Sequence, residues 1–313
     1  MAATDTPDRT RRLGHLGLAP YVLLLPSLVF LAVFFARPMV DAFTLAFEDP
    51  SGGFGLEPIR QMMADSRFGE ALRTTLILLV AIVPVQFVLA MSMALVINAK
   101  LKGQSVWLYI YAIPLAVSEL AAGIIWLSIF TQRGWLNSWL IQTGLLEQPF
   151  DFLGYQNRGW LIAAIVLAEA WRATSIIMII LVAGLQSIPS DYLEAAEIYG
   201  ANLWKRIRYV ILPMLRPSLQ VALILRTVLA LQVFAIVIAL AGASMTVLSA
   251  EAYKWQVTYR GPNVAAAYAG LILLLSSSAA ALFLWLLPAS PRSGRGALNR
   301  AARPEPEREE VSR

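Results

Sequence analysis

Cysteine is absent from this 313-residue chain and His15 is its single histidine, so disulfide frameworks and His/Cys metal sites are excluded by count. Charge is scarce as well: 14% of residues are charged, against about 25% in soluble domains. The lysines are Lys100, Lys102, Lys205 and Lys254, and none stands in a Gly-Lys-Ser/Thr phosphate loop, which excludes an ATPase of that kind. No Asp falls in any long apolar run. An intramembrane enzyme working through aspartyl, thiol or His-metal chemistry would therefore lack its groups. The chain reads as no enzyme, and no metal site is expected in it.

What the chain has in abundance is apolar sequence, at 58% of residues. Six stretches are long enough for a hydrocarbon core of ~30 Å, which takes roughly 20 residues of helix. They are about 16–35, 74–97, 106–130, 160–183, 218–242 and 264–287. All are continuously apolar and lack the alternation of a membrane barrel, which predicts an all-α membrane protein of six spans. Arg9, Arg11 and Arg12 before the first run resemble a secretory signal, but the run is too long and no small-residue cleavage site follows it. A retained first helix is expected.

Basic residues set the orientation. One side would hold Arg9, Arg11, Arg12, Lys100, Lys102, Lys205, Arg206, Arg208, Arg216 and the arginines from Arg292 to Arg313. The other would hold Arg37, Arg60, Arg67, Arg73, Arg133, Arg158, Lys254 and Arg260 among a larger number of acids. Both termini are therefore expected in the cytoplasm, in a multi-pass protein of the cell membrane. The net charge of +5 follows from this asymmetry and needs no nucleic acid partner; membrane lipid is the expected neighbour. Residues 1–15 read as a cytoplasmic tail, 16–287 as the membrane domain and 288–313 as a disordered cytoplasmic tail. Arg37–Arg73 reads as an irregular external segment, and Trp135, Trp139 and Trp160 suit an interfacial aromatic belt.

The longest internal connection, 184–217, carries the clearest local chemistry. Pro189 ends the preceding helix; Ser190 is expected as an N-cap, with Asp191 and Glu194 placing negative charge in the first turn. Gly200 can adopt the left-handed conformation and turn the chain into a second short helix. There Leu203, Ile207 and Val210 or Ile211 recur at helical spacing, with Lys205, Arg206 and Arg208 on the opposite face. Pro213 stops it. By these features alone the unit is either a projecting knob or an interfacial helix lying on the headgroups.

The residues of this loop resemble those of a known family. Glu194-Ala195-Ala196, then Gly200-Ala201, then Leu212-Pro213 is similar to the EAA loop of binding-protein-dependent ABC importer permeases. Ala183-Gly184-Leu185-Gln186-Ser187-Ile188-Pro189 resembles the stretch before that loop in the carbohydrate branch, the maltose and glycerol-phosphate type. The resemblance covers roughly Arg73 to Leu287. Tyr199 stands where the family usually has Asp, and Ile207 where an aromatic is common. Arg226-Thr227 fits a family pattern in which Leu229, Leu231, Gln232 and Ala235 replace frequent Asp, Phe, Arg and Asp. The resemblance implies an importer subunit supplying half of a translocation pathway for a sugar or sugar derivative. Its implied partners are a second homologous permease, two cytoplasmic ABC ATPase subunits that hold ATP and Mg, and an extracytoplasmic solute-binding protein. The loop 184–217 would then be the coupling element between spans four and five.

Charges inside a span are costly and mark candidate sites. Here they are Glu119, Glu169, Arg172 and Arg226. Glu169 and Arg172 share a helical face and can neutralise each other; Arg226, about two turns inside one end of its run, is expected to snorkel outward. Glu119 has no same-helix cation within reach and is a candidate for the pathway, with Glu169, Arg172, Thr174 and Gln232. Trp126 and Trp171 can stack on a sugar ring or fill helix interfaces, the second being the commoner task. Two alternatives remain: the same transporter class carrying glycerol phosphate, polyamine or another small solute, and an ion-coupled carrier acting alone. Carriers of the second kind usually show internal repeats with broken helices, and neither is evident in the sequence.

Overall fold

The computed structural model describes residues 19–49, 52–99 and 102–287. In chain order the helices are α1 (Ala19–Leu31), α2 (Arg37–Leu45), α3 (Glu57–Ala64), α4 (Phe68–Asn98) and α5 (Gln104–Ala112). Then come α6 (Glu119–Phe130), α7 (Trp135–Gln142), α8 (Arg158–Gln186), α9 (Ser190–Ile198) and α10 (Leu203–Arg206). The last are α11 (Leu212–Met214), α12 (Arg216–Leu231), α13 (Ala235–Ala241), α14 (Leu248–Val257) and α15 (Pro262–Leu286). Among the described residues the only extended pairing is an isolated bridge of Glu48 with Phe54. The tails 1–15 and 288–313 lie outside the described residues, as do 16–18 of the first apolar run.

Among the described residues four helices are each long and apolar enough to cross a membrane: Tyr21–Leu45, Phe68–Asn98, Tyr155–Gln186 and Pro262–Leu286. Two bent pairs meet the same test jointly: Gln104–Ala116 with Glu119–Gln142, at 98°, and Leu203–Met214 with Arg216–Leu231, at 76°. Four spans are thus uninterrupted, and six result if each bent pair counts as one. The first helix runs on through a π-helical turn at Ala32–Ala36 to Leu45, so it extends past the expected end at Phe35. Pro38 falls just after the π-helical turn, in the first turn of α2. The segment expected to be irregular, Arg37–Arg73, therefore contains α2, α3 and the opening of α4. Ser190 is not the N-cap of α9: Pro189 occupies that position, and Ser190 already lies in the helix.

Two expected spans are broken. Val106–Phe130 is interrupted where Pro114 removes a donor: a 3₁₀ turn, Ile113–Ala116, leads to extended Val117, and the Ser118 hydroxyl accepts the Ala121 N–H at 3.2 Å to start α6. Ser218–Gly242 is interrupted at Gln232–Phe234, where the sequence holds neither Pro nor Gly. Broken helices are therefore present, contrary to expectation.

The described residues divide into two compact units, one within 19–65 and 252–270, the other within 66–251 and 271–287. In the first, Asp65 accepts hydrogen bonds from the Trp255 indole at 2.8 Å and the Tyr268 hydroxyl at 3.0 Å, while Asn263 donates to the Glu48 carbonyl at 2.6 Å. In the second, α8 packs along α4 and α12, and α6 packs on α13. Lipid is as apolar as leucine, so helices associate through close contact and polar bonds rather than through expulsion of water. Ala71, Ala90, Ala94, Ala122, Ala168, Ala173 and Ala222 are buried at these contacts. Gly123 is needed outright, since a Cβ there would lie 2.6 Å from the Ala239 Cβ.

Candidate functional site

Two apolar clusters of the second unit bear on the site. One gathers Leu78 and Ile82 of α4, Leu161 and Ile165 of α8 and Ile236 of α13. The other gathers Ala90 and Ala94 of α4, Met178 and Leu181 of α8 and Leu215, Leu219 and Ala222. Between them lies a polar layer.

In that layer the Glu169 carboxylate, fully buried, receives two guanidinium groups. Arg172 donates through Nη2 to Oε1 at 3.0 Å and through Nε to Oε2 at 3.1 Å, a side-on fork. Arg226 donates through Nη2 to Oε1 at 3.0 Å from α12. Gln86 of α4 completes the set: its Nε2 donates to the Glu169 carbonyl at 2.7 Å, and its Oε1 accepts from Arg226 Nε. Arg226 is only 1% exposed, so the expected snorkelling does not occur. A carboxylate on a neighbouring helix holds the guanidinium in place, which a reading of one helix at a time cannot reveal. Arg226 Nη1 has no partner among the described residues.

The break after α12 is tied to the other broken span. One carboxylate oxygen of Glu119, at the first position of α6, accepts the backbone N–H groups of Phe234 and Ala235 at 2.9 Å and of Ile236 at 3.4 Å. These are the donors that a helix start leaves free, and a carboxylate also complements the helix dipole there. Ser249 donates to the Val233 carbonyl at 2.7 Å, satisfying the other side of the break.

The remaining candidates separate. Thr174 is buried and donates back to the Ala170 carbonyl of its own helix, whereas Gln232 is exposed at the end of α12. Trp126 meets Trp171 edge-on with centroids 6.3 Å apart and stacks on Phe130 at 5.5 Å, which fills the interface of α6 and α8.

The loop after α8 forms a helical hairpin. Gly200 adopts φ +72°, and the Ala201 N–H reaches back to the Ala196 carbonyl at 2.9 Å, closing α9 in a Schellman turn. Asn202 caps α10 through the Lys205 N–H at 3.0 Å, and Arg206 pairs with Glu197 across the turn. A π-helical turn, Ile207–Ile211, then shifts the register, so Ile211 is buried and Leu203 is 60% exposed. The expected apolar face of Leu203, Ile207 and Ile211 is thereby split. Ile198, Tyr199, Trp204 and Tyr209 are exposed, and Glu194, also exposed, has no bonding partner among the described residues. Leu212 and Pro213 lead through α11 into α12, and Leu212 packs on the second apolar cluster.

An all-helical, multi-pass chain with buried ionic contacts and an exposed hairpin defines a polytopic membrane protein. Residues 62–290 match the family described as binding-protein-dependent transport system inner membrane component, and the chain belongs to that family. It is a membrane transport component and not an enzyme. The trehalose/maltose transport system permease protein MalF of Thermococcus litoralis is 33% identical over 71% of this chain and 76% of its own. The trehalose transport system permease protein SugA of Mycobacterium tuberculosis is 27% identical over 88% of each chain. A chain in the crystal structure of a bacterial alginate ABC transporter, in complex with an alginate pentasaccharide-bound periplasmic protein, has the same fold. Its TM-score is 0.72 at 20% identity, covering 88% of this chain and 96% of that one.

Proposed function

We propose that this chain is one permease half of an ATP-driven importer for a sugar or sugar derivative. Both termini face the cytoplasm, the membrane domain spans 16–287 six times, and a solute-binding protein delivers cargo from outside. A second homologous permease completes the pathway, and two ATPase subunits, which hold ATP and Mg, seat the hairpin within 184–217. Glu194, Ala195, Ala196, Gly200, Ala201, Leu212 and Pro213 are the coupling residues that the hairpin and its exit bring to the ATPase. Glu119, Glu169, Arg172, Thr174 and Gln232 are the membrane residues assigned to the path or its support, Gln232 being the one that is exposed.

The observation that carries this reading is the hairpin. It places exposed aromatic residues and Glu194, without a bonding partner among the described residues, between two helices anchored in the membrane domain, within a chain of the binding-protein-dependent family. A mobile interfacial helix would not need a closed Schellman turn, a cap and a cross-turn ion pair; a docking element must be rigid. The sugar assignment is supported by relatives named for trehalose and maltose.

The test is ATP hydrolysis by the co-purified complex in lipid, challenged with binding proteins loaded with trehalose, maltose or glycerol phosphate, one at a time. Stimulation by a sugar-loaded protein is expected. Stimulation by the glycerol-phosphate protein alone would overturn the sugar assignment, and uptake by the chain without any ATPase would overturn the importer reading.

A further inference from the structure

The helices that flank the hairpin, α8 and α12, are joined at two depths. Near the hairpin, Gly184 lets the backbones approach so closely that a Cβ there would lie 2.7 Å from the Ser218 Cβ and 2.8 Å from a Leu215 methyl. Deeper in the unit, Glu169 of α8 meets Arg226 of α12 at 3.0 Å. At 1.5 Å per residue this second joint lies roughly 15 Å along α12 and roughly 25 Å along α8 from the hairpin. Two rods touching at one point can pivot about it, whereas two separated joints remove that freedom. Gln86 extends the second joint to α4 by bonding both partners.

The chemistry of the deeper joint suits this purpose. Apolar side chains in hydrocarbon can slide past one another at little cost, since no water is expelled or admitted. A guanidinium and a carboxylate have fixed bond directions, and within a membrane no water competes for them. The joint thus sets the register of α12 on α8. Beyond it α12 stops at Leu231 and the chain breaks over 232–234; α13 then starts on the Glu119 carboxylate of α6 and packs with Leu161 and Ile165 of α8.

We propose that Glu169, Arg226 and Gln86 are positioning residues for transport: they weld the helix leading into the hairpin to the helix leading out, so that displacement of the hairpin reaches the break at 232–234 undiminished. The weld makes α8, α12 and α4 a single lever that ends, along α12, at the break 232–234. This rests on the hairpin being the ATPase-docking element.

The experiment uses the reconstituted complex of permeases and ATPases. Spin labels at Ile179→Cys and Val221→Cys report the α8 to α12 separation in a chain with no other cysteine; both positions are exposed, at 44% and 56%. With the weld intact, the label distance is the same in nucleotide-free and ATP-trapped states. In Arg226→Gln, ATPase co-purification persists, the distance distribution broadens, and solute moved per ATP hydrolysed falls about tenfold, the size of coupling loss usual for such contacts. A wild-type distance that changes with nucleotide, or an Arg226→Gln complex with unchanged solute per ATP, would overturn the weld. The wild-type distances test it even where the variant fails to assemble. Failure of the docking reading is told apart by Glu194→Lys, which would then keep the ATPase bound while the wild-type label distances still report on the weld.

Discussion

One carboxylate oxygen of Glu119 accepts the Ala235 backbone N–H at 2.9 Å, and so joins the first turn of α6 to the first turn of α13. Both helices begin at a break within an apolar run, and the acid that starts one satisfies the free donors of the other. Removing it leaves these part-buried amides at the helix start without their acceptor. Glu119→Ala should therefore destabilise the detergent-solubilised protein by about 1 kcal/mol, the usual cost of a lost helix cap. Glu119→Gln keeps an acceptor oxygen and should cost less. Thermal unfolding followed by tryptophan fluorescence orders the three proteins, and an alanine variant as stable as the wild type would refute the capping role. Uptake by Glu119→Gln with the ATPase still bound reports separately on transport, where unchanged kinetics would leave Glu119 a purely structural residue.

The apolar runs and the hairpin were legible because their causes are local. Length and hydropathy mark a helix in lipid, and Gly200 marks a left-handed turn. The run 106–130 is apolar throughout and so reads as one span, although Pro114 removes a donor within it. The break at Gln232–Phe234 has no such mark: its amides are satisfied by Glu119, more than a hundred residues earlier in the chain, and its carbonyl by Ser249. Arg226 was misjudged for the same reason, since its partners Glu169 and Gln86 lie on other helices. The pairing of Glu169 with Arg172, three residues apart on α8, was readable in the sequence.

Gly184 lies where α8 meets the start of α12, and any side chain there collides with Ser218 and Leu215. Gly184→Ala should cost about 1–3 kcal/mol, the range for overpacking. Ser218→Gly on that background removes the obstructing Cβ and hydroxyl, leaving only the flexible end of Leu215, and should recover part of the loss. The two substitutions are thus expected to couple rather than add. Unfolding midpoints of the single and double variants decide this, and strict additivity would contradict the close approach.

In the hairpin, strain and surface chemistry can be separated. Gly200 has open space around its missing Cβ, so substitution there meets backbone strain alone, at φ +72°. Gly200→Asn should retain uptake, because Asn tolerates that region, whereas Gly200→Val should lose it through a penalty of about 1–2 kcal/mol or more on the turn. Glu194→Lys touches no bond among the described residues and should leave stability within about 0.5 kcal/mol. It should nevertheless abolish ATPase co-purification. Uptake retained by both Gly200→Val and Glu194→Lys would refute the docking assignment.

The polar layer of α4, α8 and α12 holds two arginines against one glutamate, and this imbalance orders its variants. Glu169→Gln leaves two guanidinium groups beside each other without a counter-charge, and Arg226, 1% exposed, cannot reach water. Stranding a buried charge in this way costs about 3–5 kcal/mol. Arg226→Gln removes the excess cation and leaves Glu169 forked to Arg172, a neutral pair, so it should be much the milder change. In the double variant only Arg172 stays charged, and its side chain, 17% exposed, can extend toward the surface. The double variant should accordingly be more stable than Glu169→Gln alone: the second substitution rescues the first. Size-exclusion profiles after a heating series give the order. Equal damage from Glu169→Gln and Arg226→Gln, or a double variant worse than either, would show that charge balance does not govern this layer.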